Sequence, residues 1–226
     1  TLVASIADDR PRKDEVVKNP WNEQLLPRLT DRLLSSHTVS RYRERVAGEL
    51  TGELVEIGFG SGLNVPHYPK AVTRVIAIEP SQTARHLASA RVSAQTIPVE
   101  FRGLDGQALP LPGASVDSAL CTFTLCTIPD ANLALAELHR VLKPGGLFGF
   151  VEHGVSPRHS VERWQHRLNP IQQRLAGGCN LDRRIDDLII NNGFTLRWLE
   201  NEEMPGPSVS APWSYVYFGV AQTEVA

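Results

Sequence analysis

The chain has 226 residues, an apolar fraction of 42% and a formal net charge of -2. That length suits one large α/β domain with a core of its own. The composition argues against whole-chain disorder, and the charge leaves no footprint of a nucleic-acid partner. The three cysteines, Cys121, Cys126 and Cys179, form no C-x-x-C pair. Their spacing indicates neither a disulfide framework nor a zinc knuckle, so no metal site is expected, and a reducing cytoplasm fits best. No apolar run approaches the roughly eighteen residues that span a bilayer, and there is no signal-peptide pattern, so no stable membrane anchor is expected. Residue 1 is Thr and Met204 is the only methionine, so the natural N-terminus is expected to be trimmed or not covered.

Residues 1–20 read as a mobile arm, because Asp8 to Asn19 is mostly charged and Pro11 interrupts it. Residues 21–226 are expected to form one domain. Trp21 to Ala47 has Leu25, Leu26, Leu29, Leu33 and Leu34 at helix spacing, with Gly48 as the stop. This helical stretch, residues 21–48, either lies across a cleft as a lid or packs on the sheet. Leu54 to Gly62 reads L-V-E-I-G-F-G-S-G, an apolar strand tipped by an acid and followed by glycines at alternate positions. Leu63 to Tyr68 contains Pro66 and predicts a short or irregular helix. Val72 to Glu79 is a second strand, and Ser81 caps a helix running to about Ala94. Further strands are expected at Val99–Leu104, Val116–Phe123 and Leu147–Glu152, with Lys143 to Gly146 as a turn. Helices are expected at Ala131–Leu142, Arg158–Leu175 and Asp182–Asn192. Phe194–Glu200 and Tyr215–Ala221 close the chain. The alternation up to residue 152 predicts a parallel sheet covered on both faces. The last two strands have no crossover helix between them and are expected to pair antiparallel.

Ligands of such sheets bind beyond the carboxyl ends of the strands, where Glu56, Gly58, Glu79, Asp105, Thr122 and Glu152 fall. A dinucleotide fingerprint is G-x-G-x-x-G; here the order is G-x-G-x-G at Gly58, Gly60 and Gly62. Glu56 just before it would repel a pyrophosphate and suits a ligand with an amino-acid tail. Glu79 would accept two ribose hydroxyls. Asp105 would accept an adenine amino group, with Gly106 supplying an amide. Taken alone, the glycines would also fit an ordinary tight turn.

The segments V-E-I-G-F-G-S-G, I-E-P, L-P-L-P-x-x-S-V-D and L-x-R-V-L-K-P-G-G resemble the class I S-adenosylmethionine-dependent methyltransferases of the methyltransferase-11 group over residues 50–152. The resemblance implies an α/β fold, a Rossmann-like three-layer αβα sandwich with a mostly parallel seven-stranded sheet and an antiparallel last strand. It implies S-adenosyl-L-methionine as cofactor and S-adenosyl-L-homocysteine as product. Carried over position by position, Glu56, Gly58, Gly60, Gly62, Glu79, Asp105, Gly106 and Thr122 would line that cofactor. A narrower resemblance rests on C-T-F-T-L-C-T-I at Cys121, E-H at Glu152, W-Q at Trp164, N-P at Asn169, G-C-N-L-D-R at Gly178 and W-N-E-Q at Trp21. These segments look like the methyltransferase-like seven thiol methyltransferases, membrane-attached in animals and soluble in bacteria. The apolar anchor of the animal members is absent here, and Phe59 stands where the family often has Cys.

The expected reaction is methyl transfer to a small-molecule acceptor, best a thiol. A lipid, quinone or other small-molecule C-, N- or O-methyltransferase fits the broad motifs equally. A nicotinamide dehydrogenase is disfavoured by the glycine spacing, and a silent cofactor-binding module is a further reading. His153, after the fifth strand, is the candidate catalytic base or orienter, against a purely structural histidine. Residues 153–192 would supply the acceptor side. Glu152 would orient His153 or point into the cofactor end. Cys121 and Cys126 read as small core thiols. Asn180, Asp182 and Arg183 either wall the acceptor pocket or cap the next helix. Trp164, Trp198 and Trp213 read as core or lid packing.

Overall fold

The computed structural model describes residues 20–103 and 105–225, so the arm expected over residues 1–20 lies outside the described residues except for Pro20. Seven strands form the sheet: β1 (Gly52–Ile57), β2 (Val72–Ile78), β3 (Val99–Phe101), β4 (Val116–Thr122), β5 (Leu142–His153), β6 (Thr195–Glu203) and β7 (Tyr215–Gln222). Their order is β3-β2-β1-β4-β5-β7-β6. β1 to β5 are parallel, and β7 runs antiparallel to both β5 and β6, as expected for a connection without a crossover.

Side chains alternate across each strand, so one run of apolar residues feeds two cores. Val55, Ile57, Ile76, Ile78, Ala119 and Phe148 face one layer, covered by α4 (Ala131–Val141) and α6 (Ile185–Asn191). Leu54, Val75, Ala77, Leu120 and Val151 face the other, covered by α2 (His37–Ala47) and α3 (Gln82–Ser93). Ser81 caps α3 through its hydroxyl, which accepts from the Ala84 amide at 3.2 Å. Asp130 caps α4 by accepting from Asn132 and Leu133. The strand order reverses between β1 and β4, which opens the crevice where α/β ligands sit.

Four expectations need correction. The helical stretch over Trp21–Ala47 is not one helix. A π-helical turn, Trp21–Leu25, leads into α1 (Leu26–Leu34), and Ser36 adopts an extended conformation and caps α2. α2 packs on the sheet through Tyr42 and Val46, whereas α1 has no buried residue. Lys143 to Gly146 is the bulged start of β5, not a turn outside it. Val116 pairs with Leu142 and Ser118 with Leu147, so two steps along β4 span five along β5, and Gly145 takes φ +73°. The third strand stops at Phe101. The helix expected from Asp182 starts three residues later, at Ile185, because the preceding loop spends its polar side chains elsewhere. Helix α5 (His159–Leu175) stands as expected. Among the described residues, no helix is long and apolar enough to cross a membrane.

Candidate active site

The turn after β1 is built around glycine. Gly58 takes φ +70°, and a Cβ there would lie 2.0 Å from the Thr124 hydroxyl. Its amide donates to the Ile78 carbonyl at 2.9 Å, which draws the turn onto the end of β2. Glu79 completes the grip. One carboxylate oxygen accepts from the Gly60 amide and the other from the Ser81 amide, each at 2.7 Å. Each oxygen retains capacity for one more donor. Burial pushes the Glu79 carboxyl above its ordinary value, against those two amides.

A cavity of about 440 Å³ opens over this turn. Gly58, Gly60, Glu79, Asp105, Gly106 and Thr122 line it, together with Leu26 and Thr30 of α1. Six of the eight residues expected to hold the cofactor therefore meet there. Asp105 is exposed and accepts from the Gln107 amide at 2.8 Å. A Cβ on Gly106 would strike Ile57 at 2.4 Å, so this approach requires glycine. The described lining holds the two carboxylates of Glu79 and Asp105 and no Lys, Arg or His. That charge balance suits a cationic ligand and opposes a pyrophosphate.

Glu56 and Gly62 are not in the cavity lining, which corrects the reading of Glu56 as receiver of an amino-acid tail. Glu56 is fully buried beneath the turn, and Gly62 turns toward Val65 and Ala88. One Glu56 oxygen accepts from Asn64 Nδ2 at 2.8 Å and the other accepts the Tyr68 hydroxyl. Arg43 Nη1, on α2, donates to Asn64 Oδ1 at 2.7 Å and to Thr122 Oγ1 at 2.8 Å. A buried polar network thus ties α2 to the glycine turn and to the end of β4. Sequence reasoning missed Arg43. Its one signal was a cation on the buried stripe Val39, Tyr42, Arg43, Val46. Burial pushes Glu56 up to about 7 and lowers Arg43 to about 10.

The Glu56 shift gives a testable pH dependence. A carboxyl raised in the folded state binds more protons there than in the unfolded chain. Its contribution is full below the unfolded pKa of about 4.3 and is lost as pH rises through about 7. Glu56→Gln should flatten the fall of unfolding free energy across that window, by at most about 1.4 kcal/mol per pH unit. Urea denaturation at successive pH values checks this; parallel curves for variant and wild type would remove the assignment.

Beyond Thr122 the chain turns sharply at Phe123, which has φ +52°. Phe123 is a non-glycine in the left-handed region, an uncommon placement. It lines both the first cavity and a second, apolar one of about 550 Å³. Leu29 and Leu33 of α1 roof the second cavity, and Cys126, His153 and Cys179 line it as well. The His153 ring meets Phe123 edge-on at 4.7 Å. Glu152 neither orients His153 nor enters the cofactor end. It is fully buried and accepts the amides of Thr124, Leu125 and Cys126 at 2.9, 3.0 and 3.2 Å. Burial nevertheless pushes it up to about 7.

Asn180, Asp182 and Arg183 do not cap α6, whose preceding residue is Arg184. The Asn180 amide and side chain both donate to the Cys126 carbonyl, at 2.7 and 3.1 Å. Arg183 donates to the Ile128 carbonyl at 2.8 Å, and Asp182 accepts from Asn169 at 2.7 Å. These residues staple the loop before α6 onto the turn after β4. Of Trp164, Trp198 and Trp213, Trp198 packs on Phe218 and Trp213 lines the apolar cavity, but Trp164 is 55% exposed and is no core residue. Cys121 is a buried core thiol as expected.

A doubly wound sheet whose β2 carboxylate holds a glycine turn after β1 is an arrangement that class I S-adenosylmethionine-dependent methyltransferases share, and the chain is similar to methyltransferases in sequence and in fold. Residues 55–150 match the methyltransferase domain family. The chain is 31% identical over 164 residues to thiol S-methyltransferase TMT1A of Homo sapiens, covering 67% of this chain and 64% of that one. It is 33% identical over 134 residues to thiol S-methyltransferase TMT1B of Rattus norvegicus, covering 58% and 54%. The chain thus spans between about half and two thirds of the length of these relatives. A shorter match, 33% over 105 residues and 46% and 41% of the two chains, reaches the ubiquinone/menaquinone biosynthesis C-methyltransferase UbiE of Rubrivivax gelatinosus. In fold, the chain is similar to a Haloferax volcanii putative methyltransferase solved with its Trm112 activator, with a TM-score of 0.67 at 16% identity over 90% and 96% of the two chains. The cofactor of the class is S-adenosylmethionine, and the cation-compatible cavity with its amide-fixed Glu79 fits it.

Proposed function

We propose that this chain methylates the sulfur of a small apolar thiol. The observation that carries this reading is the second cavity. It is apolar, it shares Phe123 with the cofactor cavity, and His153 lines it. The similarity to two thiol S-methyltransferases supports the thiol. Free cysteines at Cys126 and Cys179 suit a reducing compartment such as the cytoplasm.

Bound S-adenosylmethionine supplies an electrophilic methyl group on a positively charged sulfur. The protein's task is placement and dryness. Glu79 would hold the ribose, Asp105 and Gly106 would meet the base, and the leucines of α1 would act as a lid that keeps water from the reacting atoms. The acceptor must react as its thiolate, which is costly to form in an apolar cavity. His153 favours that ionisation.

The magnitude is bounded. A thiol of pKa about 8.5 is roughly 3% ionised at pH 7, so full ionisation gains at most about 30-fold. His153→Ala should therefore lower kcat by about tenfold at pH 7, with the deficit narrowing above pH 8.5 and the affinity for S-adenosylhomocysteine within about twofold of wild type. Full activity at pH 7 would remove His153 from the reaction. The substrate class is tested with purified protein, labelled cofactor and a panel of small thiols, quinones and amines. Label is expected on the apolar thiols; label on quinones or amines alone would replace the thiol reading.

A further inference from the structure

Cys126, His153 and Cys179 are far apart in sequence and meet at one point of the apolar cavity. Their two sulfurs and one imidazole nitrogen all lie within 4.8 Å of one another. We propose that these three side chains bind a zinc ion whose fourth coordination position faces the acceptor cavity. This rests on the reading of that cavity as the thiol site, and it gives His153 a specific task there as a ligand.

The chemistry of the donors selects the metal. Two thiolates and an imidazole are soft to borderline ligands, suited to zinc and not to magnesium or calcium. Three protein ligands with one open position is the arrangement of catalytic zinc, as opposed to the closed four-ligand structural site. Zinc–sulfur and zinc–nitrogen bonds of about 2.3 and 2.0–2.1 Å place tetrahedral ligands roughly 3.5–3.8 Å apart, so a contraction of about an ångström closes the site.

The surroundings hold the donors in place. Three amides on Glu152 fix the turn that carries Cys126. Asn180 ties the Cys126 carbonyl to the loop that carries Cys179. Gly178 makes this approach possible: it has φ +93°, and a Cβ there would lie 2.9 Å from the Thr127 carbonyl. Cys126 and Cys179 are almost fully buried, yet both line the cavity. His153, at the end of β5, faces the same space.

In this site the ion displaces the protons of Cys126 and Cys179 to water. An acceptor thiol then binds at the fourth position as a thiolate, and its proton also leaves to water. The acceptor sulfur forms its bond to the methyl carbon as the sulfonium carbon–sulfur bond breaks, leaving that electron pair on a neutral thioether. The methylated acceptor is itself a thioether and a weak ligand, which favours its release.

The test uses the untagged chain, kept reduced without oxygen and stripped with a chelator. Titration with Co²⁺ should give one equivalent of tetrahedral cobalt with thiolate charge-transfer absorption, displaced by Zn²⁺. Cys126→Ser and Cys179→Ser should each lose about half of that absorption and weaken metal affinity at least 100-fold, whereas Cys121→Ser should leave both unchanged. Adding an apolar thiol should raise the charge-transfer intensity by about half, as a third thiolate joins. No stoichiometric uptake by the wild-type chain, or full absorption in both Ser variants, would overturn the site. Thiol methylation at full rate by the metal-free chain would also overturn it, with the thiol reading intact. Metal bound with the expected spectrum but no thiol methylated would sink the thiol reading and leave the ion site standing.

Discussion

Glu79→Ala is expected to weaken binding of S-adenosylhomocysteine by roughly 100-fold. Charge-assisted hydrogen bonds contribute about 1.5–3 kcal/mol each, and a hundredfold change corresponds to about 2.7 kcal/mol. On the proposed reading Glu79 would make two such bonds to a ribose, and the Gly60 and Ser81 amides fix both of its oxygens at the cavity wall. The substitution also frees the Gly60 amide, so part of the loss comes from a loosened turn. Glu79→Gln keeps the side-chain size and one acceptor oxygen, and should fall between Ala and wild type. Isothermal titration calorimetry reads all three affinities. If the Ala variant binds within about threefold of wild type, the ribose assignment is wrong.

The second large effect is on stability. Arg43→Met is expected to cost about 3 kcal/mol at pH 8. Removing one member of a buried charged network costs about 3–5 kcal/mol, mostly through the partner left without compensation. Here the partner is Glu56, linked to Arg43 through Asn64 and fully buried. Methionine retains much of the arginine stem's apolar packing, which keeps the loss at the low end. Proton uptake limits the damage in acid. Glu56 already sits near 7 with Arg43 present, and loss of the cation raises it further. At pH 6 the carboxyl is neutral in the folded variant, so the cost should shrink. Adding Glu56→Gln to Arg43→Met should recover part of the loss at pH 8, a coupling that a double-mutant cycle isolates. Equal stability of Arg43→Met and wild type at pH 8 would show that the network contributes nothing.

Much of the site was legible because its parts are local. The strand ending at Ile57 declares itself by an apolar run, and the bend after it by three glycines. Glu79 and Asp105 follow their strands at the spacing that a βαβ unit imposes. The Ser81 cap and the antiparallel closing pair were equally plain, since each depends on residues a few positions apart or on the length of one connection. Even Glu56 was singled out correctly as unusual; its direction was misread. Period-two alternation says that neighbours point to opposite faces, but it does not say which face carries the ligand.

The sequence by itself determined the architecture, the glycine turn and the carboxylate that holds it, because periodicity, turn chemistry and short spacings act within a few residues. Only the tertiary structure decided that Arg43 lies beneath the turn, that Glu152 binds backbone amides, and that Cys126, His153 and Cys179 share one wall of an apolar cavity. Those groups belong to different elements, brought together by the order of strands in the sheet and by the staple between the turn after β4 and the loop before α6. Sequence distance carries no record of that meeting, since the contacts exist only once the layers have packed.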